Sequence, residues 1–207
     1  MKISRSDFNA RWSSLHGDVK VQGAISFWIS ISYYIARVVS LFRISPNFIT
    51  ITGVISSLAV LKVDSVAIIF LLILFSLICD GIDGSVAIYQ NRVTKLGSLY
   101  DSLADRISEA AWFAILAYLF VPVRYAIAIW VLGATQEYAR TRLASLGYSQ
   151  IGVITPTERP MRAIFVFLVI YLYYMGYAVI PQVALAFTVL QAISVLMIVR
   201  MARSILR

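Results

Sequence analysis

Asp80 and Asp83 stand three residues apart, and Asp101 and Asp105 four apart, in the run C-D-G-I-D-G-S-V-A-I-Y-Q-N-R-V-T-K-L-G-S-L-Y-D-S-L-A-D-R from Cys79 to Arg106. Those spacings put each pair on one face of a helix. The break at Asn91 to Thr94 is short, which makes the two helices antiparallel neighbours and lets all four carboxylates meet near one end of the pair. Gly84 and Gly97 remove side chains where the backbones must approach each other or a ligand. Ionised carboxylates repel one another, and at a bilayer centre each costs at least ~2.5 kcal/mol, so a cation must compensate them. Arg106 cannot offset four. Hard oxygen donors without His or Cys suit Mg²⁺ or Mn²⁺, and two such ions bridging phosphate oxygens are the usual arrangement for displacement at phosphorus. The competing reading, structural salt bridges or a wet helix end, fits a single aspartate better than four at these spacings with flanking glycines.

A bilayer is the setting the composition demands. The chain of 207 residues is 60% hydrophobic and 14% charged, with a mean hydropathy of +0.84, outside the range of soluble domains. That length accommodates one helical bundle, so a single domain is expected over 1–207, with 1–44 as a cytoplasmic and interfacial segment and 45–207 as the bundle. Cys79, the one cysteine, excludes an internal disulfide and reads as a small buried side chain. The polar start, with Lys2, Arg5, Asp7 and Arg11 and no apolar core before a small-residue cleavage site, leads us to expect no removable leader.

The residues from Ala163 to Val199 carry no charge; as one helix they would measure roughly 55 Å, nearly twice a hydrocarbon core, so they must turn back near Gly176 and Pro181. Before them, crossings are expected from Arg124 to Leu146, Lys95 to Phe120 and Asp64 to about Tyr89. Another begins at Ser45-Pro46, where serine caps the first amides and proline takes the first helical position, and runs to Leu61. The total is six. Val21 to Arg43 is long enough for a seventh, but Gln22, Ser26, Ser30, Tyr33, Arg37 and Ser40 recur at steps of three or four, the mark of an amphipathic helix lying in the interface. The fold class is therefore all-α membrane protein, six spans after an interfacial helix. Of 18 Lys and Arg, all but Lys62 and Arg124 fall on one side of this arrangement. The excess of base, +8, is thus a positive-inside distribution with some attraction to anionic lipid, and nucleic acid is not an expected partner. The tryptophans read as interface anchors or packing, and His16 as solvated.

The aspartate run resembles the CDP-alcohol phosphotransferases, whose pattern is D-x-x-D-G-x-x-A-R, eight residues, then G-x-x-x-D-x-x-x-D. Asp80, Asp83, Gly84, Ala87, Gly97, Asp101 and Asp105 match at the right spacings, and Ser45-Pro46-Asn47 with Thr50 resembles the start of the family's first crossing. Ile88 stands where the family has an arginine that helps hold the donor's phosphates; Arg92, one turn later, is the nearest substitute.

The resemblance implies transfer of a phosphatidyl group from CDP-diacylglycerol to an alcohol, with release of CMP, in a homodimer of the plasma membrane whose active site faces the cytoplasm. It implies two divalent ions, with Asp80, Asp83 and Asp101 as principal ligands and Asp105 either completing the second ion's shell or acting as general base. Asn47, Thr50, Gly84, Ala87, Thr94 and Gly97 would line the donor pocket. The run E-Y-A-R-T-R followed by T-E-R-P-M-R resembles the phosphatidylinositol phosphate synthases within the family, so Arg140, Arg142, Arg159, Arg162 and Arg200 are expected to bind a phosphorylated polyol, inositol phosphate first. Positive-inside topology is the other explanation of these arginines. Glycerol 3-phosphate is the alternative acceptor, and a non-catalytic lipid-binding or transport descendant is the alternative class, on the strength of Ile88.

Overall fold

In the computed structural model, residues 3–15, 21–148 and 154–206 are described, and all the regular structure among them is helical. His16, whose solvation was expected, lies outside the described residues. Among the described residues eight helices follow one another: α1 (Arg5–Leu15), α2 (Gly23–Leu41), α3 (Pro46–Ala59), α4 (Val66–Tyr89), α5 (Lys95–Tyr118), α6 (Val123–Ser145), α7 (Arg159–Tyr174) and α8 (Ile180–Ile205), with a 3-10 turn at Val60–Lys62.

The starts and stops follow from local chemistry. Ser45 caps α3 through its hydroxyl, which accepts from the Phe48 amide at 3.2 Å, and Pro46 takes the first helical position. Thr94 caps α5 in the same manner, accepting from the Gly97 amide at 3.0 Å. Gly176 ends α7 with φ +72°, and the Tyr177 amide reaches back to the Leu172 carbonyl at 2.9 Å.

The chain divides into two compact units, 1–59 with 71–108, and 60–70 with 109–207. In the first, Phe8, Ile29, Ala36, Ile49, Cys79, Ile82, Val86, Ile88 and Tyr89 form one apolar cluster. Phe8 brings α1 into it, its ring edge-on to Tyr33 at 5.4 Å. Gly81 makes the approach of α2 to α4 possible, because a Cβ there would lie 2.8 Å from the Trp28 ring. In the second unit, Phe165 stacks on Phe187 at 4.3 Å and packs against Phe113.

Among the described residues two helices, Val66–Tyr89 and Ile180–Ile205, are each long and apolar enough to cross a membrane, and the pair Ile25–Leu41 and Pro46–Lys62, bent by 105°, raises the number to three if it is one broken span. The other expected crossings exist as helices but differ in kind: α3 and α7 have 14 and 16 residues, while α5 and α6 carry several charges. On α4, Leu71, Phe75 and Ile78 are 42% to 58% exposed, a face that water would penalise and lipid would cover.

Candidate active site

The first unit gathers the acids. Carboxylate oxygens of Asp80, Asp101 and Asp105 lie within 4.8 Å of one another, with Asp80 and Asp105 partly buried. Arg106 stands 3.8 Å from Asp105. Asp83, only 5% exposed, lies outside that trio; the Thr50 hydroxyl donates to one of its oxygens and the Gly84 amide to the other, at 2.6 Å. The donor set is wholly carboxylate and fits a hard divalent ion. Cys79, beneath it in sequence, is buried in the apolar cluster, where its Cβ sits 3.0 Å from the position a Cβ on Gly53 would take.

The residues expected around the donor are only partly brought together. Gly97 lies between Thr94 and Asn47, whose oxygens would be 3.1 and 4.0 Å from a Cβ placed on it. A Cβ on Gly84 would meet nothing within 4 Å, so the backbone there is open to a ligand. Thr50 is committed to Asp83, which makes it a residue that orients a carboxylate. Ala87 is partly buried. Ile88 is 3% exposed inside the apolar cluster, so the position of the family's arginine is filled by packing against neighbours that α1 and α2 supply.

The basic residues lie in the second unit and divide by environment. Arg162 is fully buried: its Nε donates to Glu109 at 2.9 Å, and its terminal nitrogens donate to the Thr157 carbonyl at 2.9 Å and to Glu137 at 3.1 Å. Gly133 admits it to α6, since a Cβ there would be 3.3 Å from the arginine's Cδ. Arg159 reaches the same Glu109 at 4.0 Å. Arg140 is paired in a fork with Glu158. Arg142 and Arg200 are exposed. Around Arg162 runs a buried polar network that was not singled out in the sequence: Gln191 donates to Gln136 at 2.7 Å, Gln136 to Thr155 at 2.9 Å, and Thr157 to Ser194 at 2.7 Å. Polar and ionisable residues inside apolar helices were the signal available, since they are costly there unless partnered.

Glu158 fastens the loop before α7. Burial opposes its ionisation, but the bonds from Arg140 and from the amide and hydroxyl of Thr155 prevail and hold its carboxyl down to about 2. The folded value lies below the ordinary 4.5, so the stabilisation is complete above 4.5 and is lost as pH falls toward about 2. The thermal midpoint of the purified protein is expected to drop across that window, with a shallower drop in Glu158→Gln. Identical slopes in the two proteins would remove the clamp from the account.

A helical membrane protein with a carboxylate trio on the D-x-x-D-G and G-x-x-x-D-x-x-x-D runs defines a class. The chain belongs to the CDP-alcohol phosphatidyltransferase family, whose sequence profile matches residues 33–201. Among its relatives, the archaetidylinositol phosphate synthase of Aeropyrum pernix is 37% identical over 127 residues, 56% of this chain and 65% of that protein. The phosphatidylinositol phosphate synthase of Corynebacterium glutamicum is 28% identical over 142 residues, 63% of this chain and 64% of that one. The chain thus spans just under two thirds of the length of these relatives. The fold is shared with the crystal structure of Mycobacterium tuberculosis phosphatidylinositol phosphate synthase with CDP-DAG bound, at a TM-score of 0.63 and 22% identity, over 83% of this chain and 91% of that one.

Proposed function

We propose that this protein transfers a phosphatidyl group from CDP-diacylglycerol to a hydroxyl of inositol phosphate, releasing CMP. The observation that carries the reading is the meeting of Asp80, Asp101 and Asp105 within 4.8 Å on the family's own motif. The names of two relatives, an archaetidylinositol phosphate synthase and a phosphatidylinositol phosphate synthase, support the acceptor. Two Mg²⁺ or Mn²⁺ ions held by the aspartates would neutralise the diphosphate and the departing CMP. Asp83 has carboxylate capacity left beyond its bonds to Thr50 and Gly84 and joins the set from its buried position. Asp105 takes the proton of the acceptor hydroxyl as its oxygen bonds to the lipid's phosphorus and the anhydride bond to CMP breaks. Asn47, Thr94 and Gly97, which adjoin one another, with Gly84 and Ala87, receive the nucleotide.

The acceptor's phosphate is assigned to Arg142, Arg159 and Arg200, with Arg140 and Arg162 holding the frame around them. Arg159→Ala is expected to raise the acceptor's KM about 10- to 100-fold, the loss of one hydrogen bond to a charged group, with little change for CDP-diacylglycerol. Equal effects on both substrates would count against a dedicated acceptor site. Glycerol 3-phosphate is the second acceptor to try, because the same guanidiniums suit any phosphomonoester.

The protein is read as a homodimeric plasma-membrane enzyme, one membrane domain of six crossings, α3 to α8, whose active site faces the cytoplasm. The 105° bend between α2 and α3 suits an α2 lying in the interface beside a crossing α3. Cysteines placed at residues 63, 122 and 179 should react with impermeant maleimide outside sealed cells, and one at 93 should not. Labelling at 93 would refute the topology.

A further inference from the structure

In the first unit, a cavity of about 440 Å³ opens between the ends of α2 and α4, lined by Arg37, Ser40, Leu41, Arg43, Tyr89, Gln90 and Arg92, with none of the motif aspartates among them. None of these is acidic. Three guanidiniums converge there, and all three are exposed enough to turn toward a ligand. The backbone sets two of them deliberately: Arg43 itself has φ +55°, and Arg92 follows Asn91, also at +55° and held by Arg11 at 2.6 Å. Gln90 fixes the walls, its amide nitrogen donating to the Ser40 hydroxyl at 3.2 Å and the Ile44 carbonyl at 2.7 Å. Because the Ile44 carbonyl only accepts, the amide's orientation is settled, and its carbonyl oxygen is buried with no donor. Leu41 at the rim is 70% exposed.

We propose that this cavity, whose lining includes none of the motif aspartates, is a second phosphate site, which takes the phosphate of an anionic lipid headgroup between Arg37, Arg43 and Arg92 and so gives Arg92 a role other than holding the donor's phosphates. Arginine forks match phosphate oxygens, Gln90 ties the segment after α4 to Ser40 of α2 and so holds the cavity's walls, and exposed Leu41 meets the apolar part of the lipid. A basic residue near a helix C-terminus also answers the helix dipole, and that explanation asks nothing of cavity shape or of Gln90.

The purified full chain in neutral detergent is titrated with dihexanoyl phosphatidylglycerol and, separately, with inorganic phosphate, and the thermal midpoint is followed. A saturable rise is expected, with the half-saturating concentration increased tenfold or more by Arg43→Gln or Arg92→Gln. Arg203→Gln, which removes the same charge elsewhere, should change it less than twofold. If Arg43→Gln does not fold, because of its backbone geometry, Arg37→Gln and Arg92→Gln carry the test. A response to the lipid alone supports a headgroup as the source, and a response to both probes supports a site that free phosphate also fills. No saturable response to either, or an equal loss in Arg203→Gln, overturns the site. The readout needs no turnover, so its failure is distinguishable from failure of the transferase reading.

Discussion

Asp105→Asn is expected to lower kcat by about 10²- to 10⁴-fold while metal-dependent retention of CDP-diacylglycerol survives. Asparagine keeps the shape and one oxygen ligand but accepts no proton. Asp105 lies one turn beyond Asp101 on α5 and shares the 4.8 Å group with Asp80. As a member of that group it is near enough to the ions to be oriented by them, and as the last of the motif it is the candidate to meet the acceptor. Asp80→Asn should instead lose turnover and donor binding together, because it supplies a ligand and no proton transfer. Equilibrium binding of labelled CDP-diacylglycerol with and without Mn²⁺, beside single-turnover rates, separates the two. Near-normal turnover in Asp105→Asn would show that the base lies elsewhere; loss of binding in both variants would make Asp105 a ligand first.

Arg162→Met is expected to cost about 3–5 kcal/mol of stability, since it takes from Glu109, which is 0% exposed, the guanidinium that bonds it at 2.9 Å. The methionine fills much of the space beside Gly133 but returns none of the bonds to Glu109, Glu137 and the Thr157 carbonyl. Adding Glu109→Gln removes the buried charge that has lost this guanidinium, with Arg159 at 4.0 Å as a weaker neighbour, and should restore a large part of the loss. Thermal unfolding in detergent measures both. If Arg162→Met keeps wild-type stability but loses affinity for the acceptor alone, Arg162 is a binding residue and the frame is drawn wrongly.

The aspartate spacing was legible because three- and four-residue steps are a local property of a helix, and the caps at Ser45 and Thr94 for the same reason. What decided the rest was how helices are rotated against one another. Nothing in the D-x-x-D step announces that Thr50 bonds Asp83, since the two are 33 residues apart. Arg159 and Arg162 sit in one basic run, yet only Arg162 faces inward, because Gly133 and Glu109 make room and charge for it. The N-terminal residues read as a polar segment, whereas Phe8 docks α1 on Tyr33 of α2 and Arg5 bonds Ser30. The polar stripe read as the water face of α2 thus includes Ser30 and Tyr33, which partner α1; Tyr33 donates to the Ile3 carbonyl at 3.2 Å.

Release of CMP by the purified protein from CDP-diacylglycerol and inositol phosphate tests the central claim most directly. The account predicts turnover that requires the acceptor, is abolished by EDTA, returns with Mg²⁺ or Mn²⁺, and is absent in Asp80→Asn. No CMP release with inositol phosphate, glycerol 3-phosphate or any other alcohol, from protein shown to be folded and metal-loaded, would contradict it.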